Sequence, residues 1–345
     1  MESRQNLLTF RGGILFSLVP LLIYVFFCVV LFICFKAFNM EALAVGGFLA
    51  LLAGGLFCTS YKAFWDSVIK GISSITSVSV VIILLLVGMF SQLIKTCGLS
   101  GGFVWIANTI GIHGGFFTAF TFLATCIVST ATGSSIGTMF IAFPIFYPAG
   151  MILGANEMFM AGSIVSGAIF GDNLAPISDT TIASASTQQF ADGHPADIGG
   201  VVSSRLPYSA VAGLITIVMF AVFGGMGGTF QGGEIDAAAN PMSLIMLIPV
   251  VVMLAVSTKT RNIYAGILAG LSLGTAVGLI AGLFPFSAVF ANDAANNAAT
   301  GFLIDGVNSI LPTCALVLSV FGIMGVLNDS GMLARIADKI LDSRL

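Results

Sequence analysis

Residues 171–181 read GDNLAPISDTT and set two carboxylates, Asp172 and Asp179, seven positions apart in an otherwise apolar neighbourhood. An ionised aspartate at the centre of a bilayer helix costs roughly 2.5 to 3.5 kcal/mol on insertion scales, so carboxylates at that depth mostly face an interior cavity and serve an ion or a proton. Pro176 removes a backbone N–H and clashes with the preceding turn, and with Gly171 close by the helix is expected to open. Opening frees carbonyl oxygens within reach of Asp172, Asn173, Ser178 and Asp179, with Thr180 alongside. Such an oxygen set suits a hard cation. A second reading treats 171–179 as a loop at the membrane surface, with Asp172 capping one helix end and Ser178 or Asp179 starting the next. The flanking runs SIVSGAIF and TIASAS, taken with the break, make roughly one membrane thickness.

A second polar island, STATGSSIGT at 129–138, packs hydroxyls between the apolar halves FFTAFTFLATCIV and MFIAFPIFYPAG, and reads as the tip of a hairpin. Its Thr132, Ser134, Ser135 and Thr138 could coordinate Na+ or hydrogen-bond a carboxylate without the desolvation cost of a charge; tight packing of helices through small residues is the alternative. GSSIG at 133–137 also matches the GxSxG nucleophile elbow. That elbow belongs on a strand-to-helix turn, and only His113 and His194 could act as base, so hydrolysis is set aside and no enzymatic activity is expected. His194 and Asp192 fall in the polar segment QQFADGHPADIGG, read as a solvated loop. Asp66 and Lys70 are one turn apart, as in an i,i+4 bridge, and Asp305 stands just inside the last apolar run.

These islands need a membrane around them. The chain of 345 residues is 57% hydrophobic and 8% charged, with a net charge of -3, whereas water-soluble domains carry roughly 25% charged residues. No basic tract suggests nucleic acid. The six cysteines stand singly in apolar stretches, without metal-ligand spacing, and read as small buried hydrophobes. Apolar runs at 14–35, 42–60, 75–94, 206–224, 242–256, 263–284 and 302–327 are long enough to read as spans. Arg4, Arg11, Lys62, Lys70, Lys259, Arg261, Arg335, Lys339 and Arg344 then mark the cytoplasmic side, as does Arg205, and the segment between Lys95 and Arg205 needs an odd number of crossings.

FWDSVIKGISSI followed by LIKTCGL is echoed by FLIDGVNSIL followed by VLNDSGM. Transporters are commonly built from such repeats. The division expected is scaffold helices over 1–61, a first transport repeat over 62–225 with a hairpin at 115–150 and a broken helix at 157–190, and C-terminal helices with the start of a second repeat over 226–345. Only 14 residues follow Gly331, so the second repeat reads as incomplete.

With ATGSSIGT before it, SGAIFGDNLAPISDTT resembles the NhaC-type Na+/H+ antiporter family of the wider ion transporter superfamily, and the likeness covers roughly residues 60–225. The resemblance implies an all-α polytopic protein of the cell membrane, an inverted-repeat secondary transporter with a re-entrant hairpin and broken transmembrane helices. It points to Asp172, Asn173 and Asp179 as holding Na+, with Ser178 and Thr180 beside them and Thr132, Ser134, Ser135 and Thr138 as hairpin-tip neighbours. The expectation is exchange of Na+ for H+, both as cargo, with no cofactor. Alternatives are coupled exchange of a small malate- or lactate-like carboxylate or an amino acid, and a non-transporting membrane subunit or fragment. Expected partners are the lipid bilayer and small cations; a homo-oligomer stays open.

Overall fold

The structure, a computed structural model, describes residues 8–37, 39–176, 178–187, 197–228, 238–260, 262–293 and 297–342. It is almost wholly helical: α1 (Ile14–Cys34), α2 (Met40–Gly55), α3 (Tyr61–Ile72), α4 (Ile75–Thr96), α5 (Leu99–Ile110), α6 (Gly115–Thr132), α7 (Ser135–Ile152), α8 (Glu157–Leu174), α9 (Asp179–Thr187), α10 (Ile198–Phe223), α11 (Pro241–Thr260), α12 (Ile263–Ile280), α13 (Phe302–Asp329) and α14 (Met332–Asp342). A short antiparallel ribbon, β1 (Ala291–Asp293) and β2 (Ala298–Thr300), precedes α13.

Among the described residues, eight helices are long and apolar enough to cross a membrane: α1, α4, α6, α7, α10, α11, α12 and α13. Six of them lie on apolar runs picked out in the sequence; the run at 42–60 becomes α2, which at 16 residues is shorter. The segment read as a hairpin, 115–150, forms α6 and α7 of 18 residues each, about 27 Å of helix apiece. Polar side chains start the helices where the chain turns. Ser60 accepts from the Ala63 N–H ahead of α3, Asn156 from Met158 and Phe159 ahead of α8, and Asn262 from Tyr264 and Ala265 ahead of α12. Cys58, Cys97, Cys126 and Cys314 are buried as expected of small hydrophobes, whereas Cys34, at the end of α1, is exposed.

The chain divides into two compact units, one of residues 1–85 with 307–345 and one of residues 86–306. In the first, α3 and α13 cross at glycines: a Cβ on Gly325 would meet the Ser67 carbonyl and lie 2.8 Å from the Gly71 Cα. Beside that crossing the Lys70 ammonium meets Asp329 Oδ1 at 2.7 Å. The expected Asp66–Lys70 pairing is thereby corrected. Tertiary packing brings α13 to the face of α3 that carries Lys70, and the lysine takes the carboxylate from the other helix.

In the second unit α6 is the central post, packed most extensively on α8 and also on α10 and α7, while α11 and α12 form an antiparallel pair. Phe122 of α6 anchors this core, its ring centroid 5.7 Å from Phe170 of α8 and 5.6 Å from Phe220 of α10. At one end the post is knitted by backbone: Gly114 N–H donates to Leu153 O and Asn156 N–H to Gly224 O, both at 2.8 Å.

The α3–α13 crossing sets an opposition of two effects. Glycine to alanine gains up to about 1 kcal/mol of helix propensity, but forcing atoms into a filled contact costs about 1–3 kcal/mol. Gly325→Ala should therefore lower the thermal unfolding midpoint in detergent, followed by tryptophan fluorescence; an unchanged or raised midpoint would count against the close crossing.

Candidate functional site

The site is built at the end of α6 away from Gly114, where α6 meets α7 and where α8 stops. Gly133, in the left-handed region at φ +64°, ends α6, and Ser134 starts α7 by accepting from the Gly137 N–H at 3.2 Å. Across this two-residue turn Thr132 Oγ1 and Thr138 Oγ1 share a hydrogen bond of 3.1 Å, and Thr138 is fully buried. Ser134 and Thr132 are thus spent on the turn itself, and Ser135 is the first residue of α7. Ser135 follows α6 whereas His113 precedes it, so about 27 Å of helix separates them and they cannot form a serine–histidine pair. His194 and Asp192 lie outside the described residues.

Two hydroxyls of the same island, left aside by the sequence reading, reach across to α8. Ser129 Oγ donates to the Ala168 carbonyl at 2.5 Å, and the Thr130 hydroxyl is shared between the Cys126 carbonyl of its own helix at 2.8 Å and the Gly171 carbonyl at 3.1 Å. They can do so because α8 is smooth there. A Cβ on Gly167 would lie 2.7 Å from the Phe122 carbonyl, and one on Gly171 would strike the Cys126 carbonyl and come within 2.8 Å of Ser129 Cβ. Ser163, Gly167 and Gly171 form a small-residue stripe at four-residue spacing, the pattern that lets membrane helices approach closely. That spacing was the available signal.

Gly171 was expected to help open the helix. Instead it is helical and buried, held against α6, and α8 continues to Leu174. The break comes later, after Leu174, with α9 beginning at Asp179. Asp172 and Asn173 accordingly stand in the last turn of α8. The Asp172 carbonyl accepts from Ala175 N–H at 3.1 Å, and the Ala175 carbonyl accepts from Ser178 N–H at 3.2 Å. Ser178 then caps α9: its Oγ accepts from the Thr180 N–H at 3.3 Å and bonds Thr180 Oγ1 at 2.8 Å. Asp179 begins α9, and its side chain lies outside what the structure describes.

Asp172 is different in kind. It is 9% exposed, and its Oδ1 is wholly buried with no hydrogen-bond partner among the described residues. Asp172 Oδ1 thus makes no capping bond among the described residues, whereas Ser178 does cap a helix, as the surface-loop reading has it. Thr181, in the first turn of α9, is also fully buried, and its Oγ1 has no partner among the described residues. From α10, Arg205 arrives unannounced: Nη1 donates to Asn173 Oδ1 at 3.2 Å and Nη2 to Ser184 Oγ at 2.8 Å. The sequence had used this arginine only to mark a cytoplasmic face. Among the described residues no group of three or more His, Cys, Asp or Glu gathers, so the oxygens here are one carboxylate, a carboxamide and hydroxyls.

Membrane-length helices around a helix break with a buried carboxylate define a polytopic α-helical membrane protein. Over residues 8–225 the chain matches the Na+/H+ antiporter family, and it belongs to that family. It is 35% identical over 198 residues to the malate-2H+/Na+-lactate antiporter of Bacillus subtilis, covering 56% of this chain and 39% of that protein. It is 28% identical over 158 residues to the arginine/ornithine antiporter ArcD of Halobacterium salinarum, covering 41% and 30%, and 29% identical over 141 residues to the Na+/H+ antiporter NhaC of Alkalihalophilus pseudofirmus, covering 41% and 29%. The matched stretches span less than half the length of each of these relatives. No solved structure matches the chain. The family and these relatives are antiporters, transporters rather than enzymes, and the chain is a multi-pass membrane protein.

The packing ranks three substitutions by their effect on the unfolding midpoint in detergent. Gly171→Val should lower it most, by about 1–3 kcal/mol of overpacking, because valine cannot sit against Cys126 and Ser129. Ser129→Ala should cost about 0.6 to 1 kcal/mol for one interhelical hydrogen bond. Asp172→Asn should cost nothing, since it removes the charge from an oxygen that has no partner. A midpoint for Asp172→Asn below that of Ser129→Ala would show the carboxylate to be structural.

Proposed function

We propose that the chain takes part in exchange of Na+ for H+ across the membrane, and that the two cations compete for the carboxylate of Asp172. The observation that carries this reading is the buried, unpartnered Asp172 Oδ1 in the last turn of α8, beside the break. A carboxylate away from water is costly unless something neutralises it. A proton and a hard cation are the two simplest neutralisers, and one oxygen site cannot be filled by both. Occupancy by either allows the site to move, while the empty, charged site is held back; that restriction alone converts competition into exchange.

Asn173 Oδ1 and Thr181 Oγ1 are the next oxygens in line as cation ligands, with Asp179 as the second acidic residue of the set. Ser178, Thr180, Thr132, Ser134 and Thr138 also frame the site, since their hydroxyls take part in caps and turns, and Ser135 opens α7. A helix break inside a membrane protein is tolerated where it is packed in protein or lines a watery cavity, which supports placing the cargo beside the end of α8. Membership of the Na+/H+ antiporter family supports the same cargo.

A second reading, in which a small carboxylate is exchanged together with the two cations, is favoured by the likeness to the malate-2H+/Na+-lactate antiporter. Both are tested in vesicles carrying the purified chain and a pH-sensitive dye. A Na+ gradient alone should drive proton movement, and Asp172→Asn should abolish it while leaving the unfolding midpoint in place. Retained flux in that variant would remove Asp172 from the role. Proton movement that demands malate or lactate in addition to Na+ would favour the second reading.

A further inference from the structure

The side chain of Arg205 touches both sides of the helix break. Its two bonds, 3.2 Å to Asn173 Oδ1 and 2.8 Å to Ser184 Oγ, tie the last turn of α8 to α9 from a third helix, α10. Both acceptors are neutral, and the first belongs to the residue next to Asp172. The carboxamide oxygen of the residue next to Asp172, on the exposed side of the same turn, is thus already engaged by a fixed positive charge. A carboxamide oxygen has two lone pairs and can accept an N–H while meeting a metal ion. A cation on that oxygen, however, would sit within about 6 Å of the guanidinium, where like charges still repel appreciably in a partly hydrated protein site.

We propose that Arg205 sets the cation affinity of the site by competing with the cargo for Asn173 Oδ1. The inference rests on the reading of Asp172 as the cation site and names the residue that tunes it. Arg205 is a positioning residue. With the site empty it steadies α9 against the end of α8; when a cation arrives, the carboxamide turns toward the ion and the guanidinium gives way. Neutral acceptors suit that exchange, because a bond to an amide or hydroxyl is given up more readily than a fork-to-fork pair with a carboxylate.

The half-saturating Na+ concentration for proton movement in vesicles reads this directly. Arg205→Gln, which removes the charge and keeps an N–H donor, should lower it by about tenfold. Arg205→Met supplies a second neutral side chain of similar length should the glutamine variant not fold. In an Asn173→Ala background the same replacement should shift half-saturation by less than about threefold, because the contested oxygen is gone. A half-saturating concentration that is unchanged or raised in the folded neutral variants overturns the inference, and so does a full tenfold shift that survives Asn173→Ala. A merely structural arginine would reduce the maximal rate and the unfolding midpoint without tightening Na+. Asp172→Asn separates the two levels: loss of flux there with no tightening in Arg205→Gln sinks this inference alone, whereas retained flux sinks the site beneath it.

Discussion

A carboxylate oxygen shut away from water must find a proton, a cation or a donor, and the second compact unit of this protein holds one such oxygen, Asp172 Oδ1, with no partner among the described residues. Neighbouring polar groups are largely accounted for. The carbonyls of Ala168 and Gly171 accept hydroxyls from α6, the Asp172 carbonyl accepts the Ala175 N–H, and Ser178 caps the helix that follows. The acid is left over because the frame satisfies its own donors and acceptors. An oxygen that no structural bond claims is available to something that comes and goes.

The close approach of α6 and α8 is what puts the acid there. With no hydrophobic drive between helices in lipid, contact depends on van der Waals fit and interhelical hydrogen bonds. Gly167 and Gly171 supply the fit, and Ser129 and Thr130 supply the bonds. The glycine stripe brings α6 against the last turns of α8, so Gly171 and Asp172 are buried there while Asn173, in the same turn, is exposed. The other unit uses the same device with different chemistry at its edge, since Gly71 and Gly325 let α3 and α13 cross where Lys70 and Asp329 pair.

The hydroxyl-rich islands divide by their bonds. On composition every Ser and Thr near GDNLAPISDTT is equally attractive as a ligand. Once bonds are assigned, Thr132 and Thr138 close a turn, Ser134 and Ser178 cap helices, and Ser129 and Thr130 bolt one helix to another. Thr181 keeps its oxygen unengaged among the described residues. Arg205 adds a fixed positive charge to this segment through its bonds to Asn173 and Ser184.

Local pattern was enough to read much of this chain. Apolar run length marked six of the eight membrane-length helices among the described residues, Pro176 signalled a break within three residues of where α8 ends, and the pairing of Ser134 with Gly137 or Ser178 with Thr180 is a matter of neighbours along the chain. Each of these is decided by residues a few positions apart. What touches what across helices was not readable that way. Arg205 is 32 residues from Asn173 and Lys70 is 259 from Asp329, and nothing in a periodicity says which face of one helix meets which face of another. The sequence by itself therefore determined that the protein is a set of membrane helices interrupted at an acidic proline-bearing segment. Only the tertiary structure decided that Gly171 seals α8 against α6, that the hydroxyls of 129 and 130 reach α8, and that Asp172 Oδ1 has no partner among the described residues, because burial and satisfaction of a polar group depend on neighbours far away in the chain.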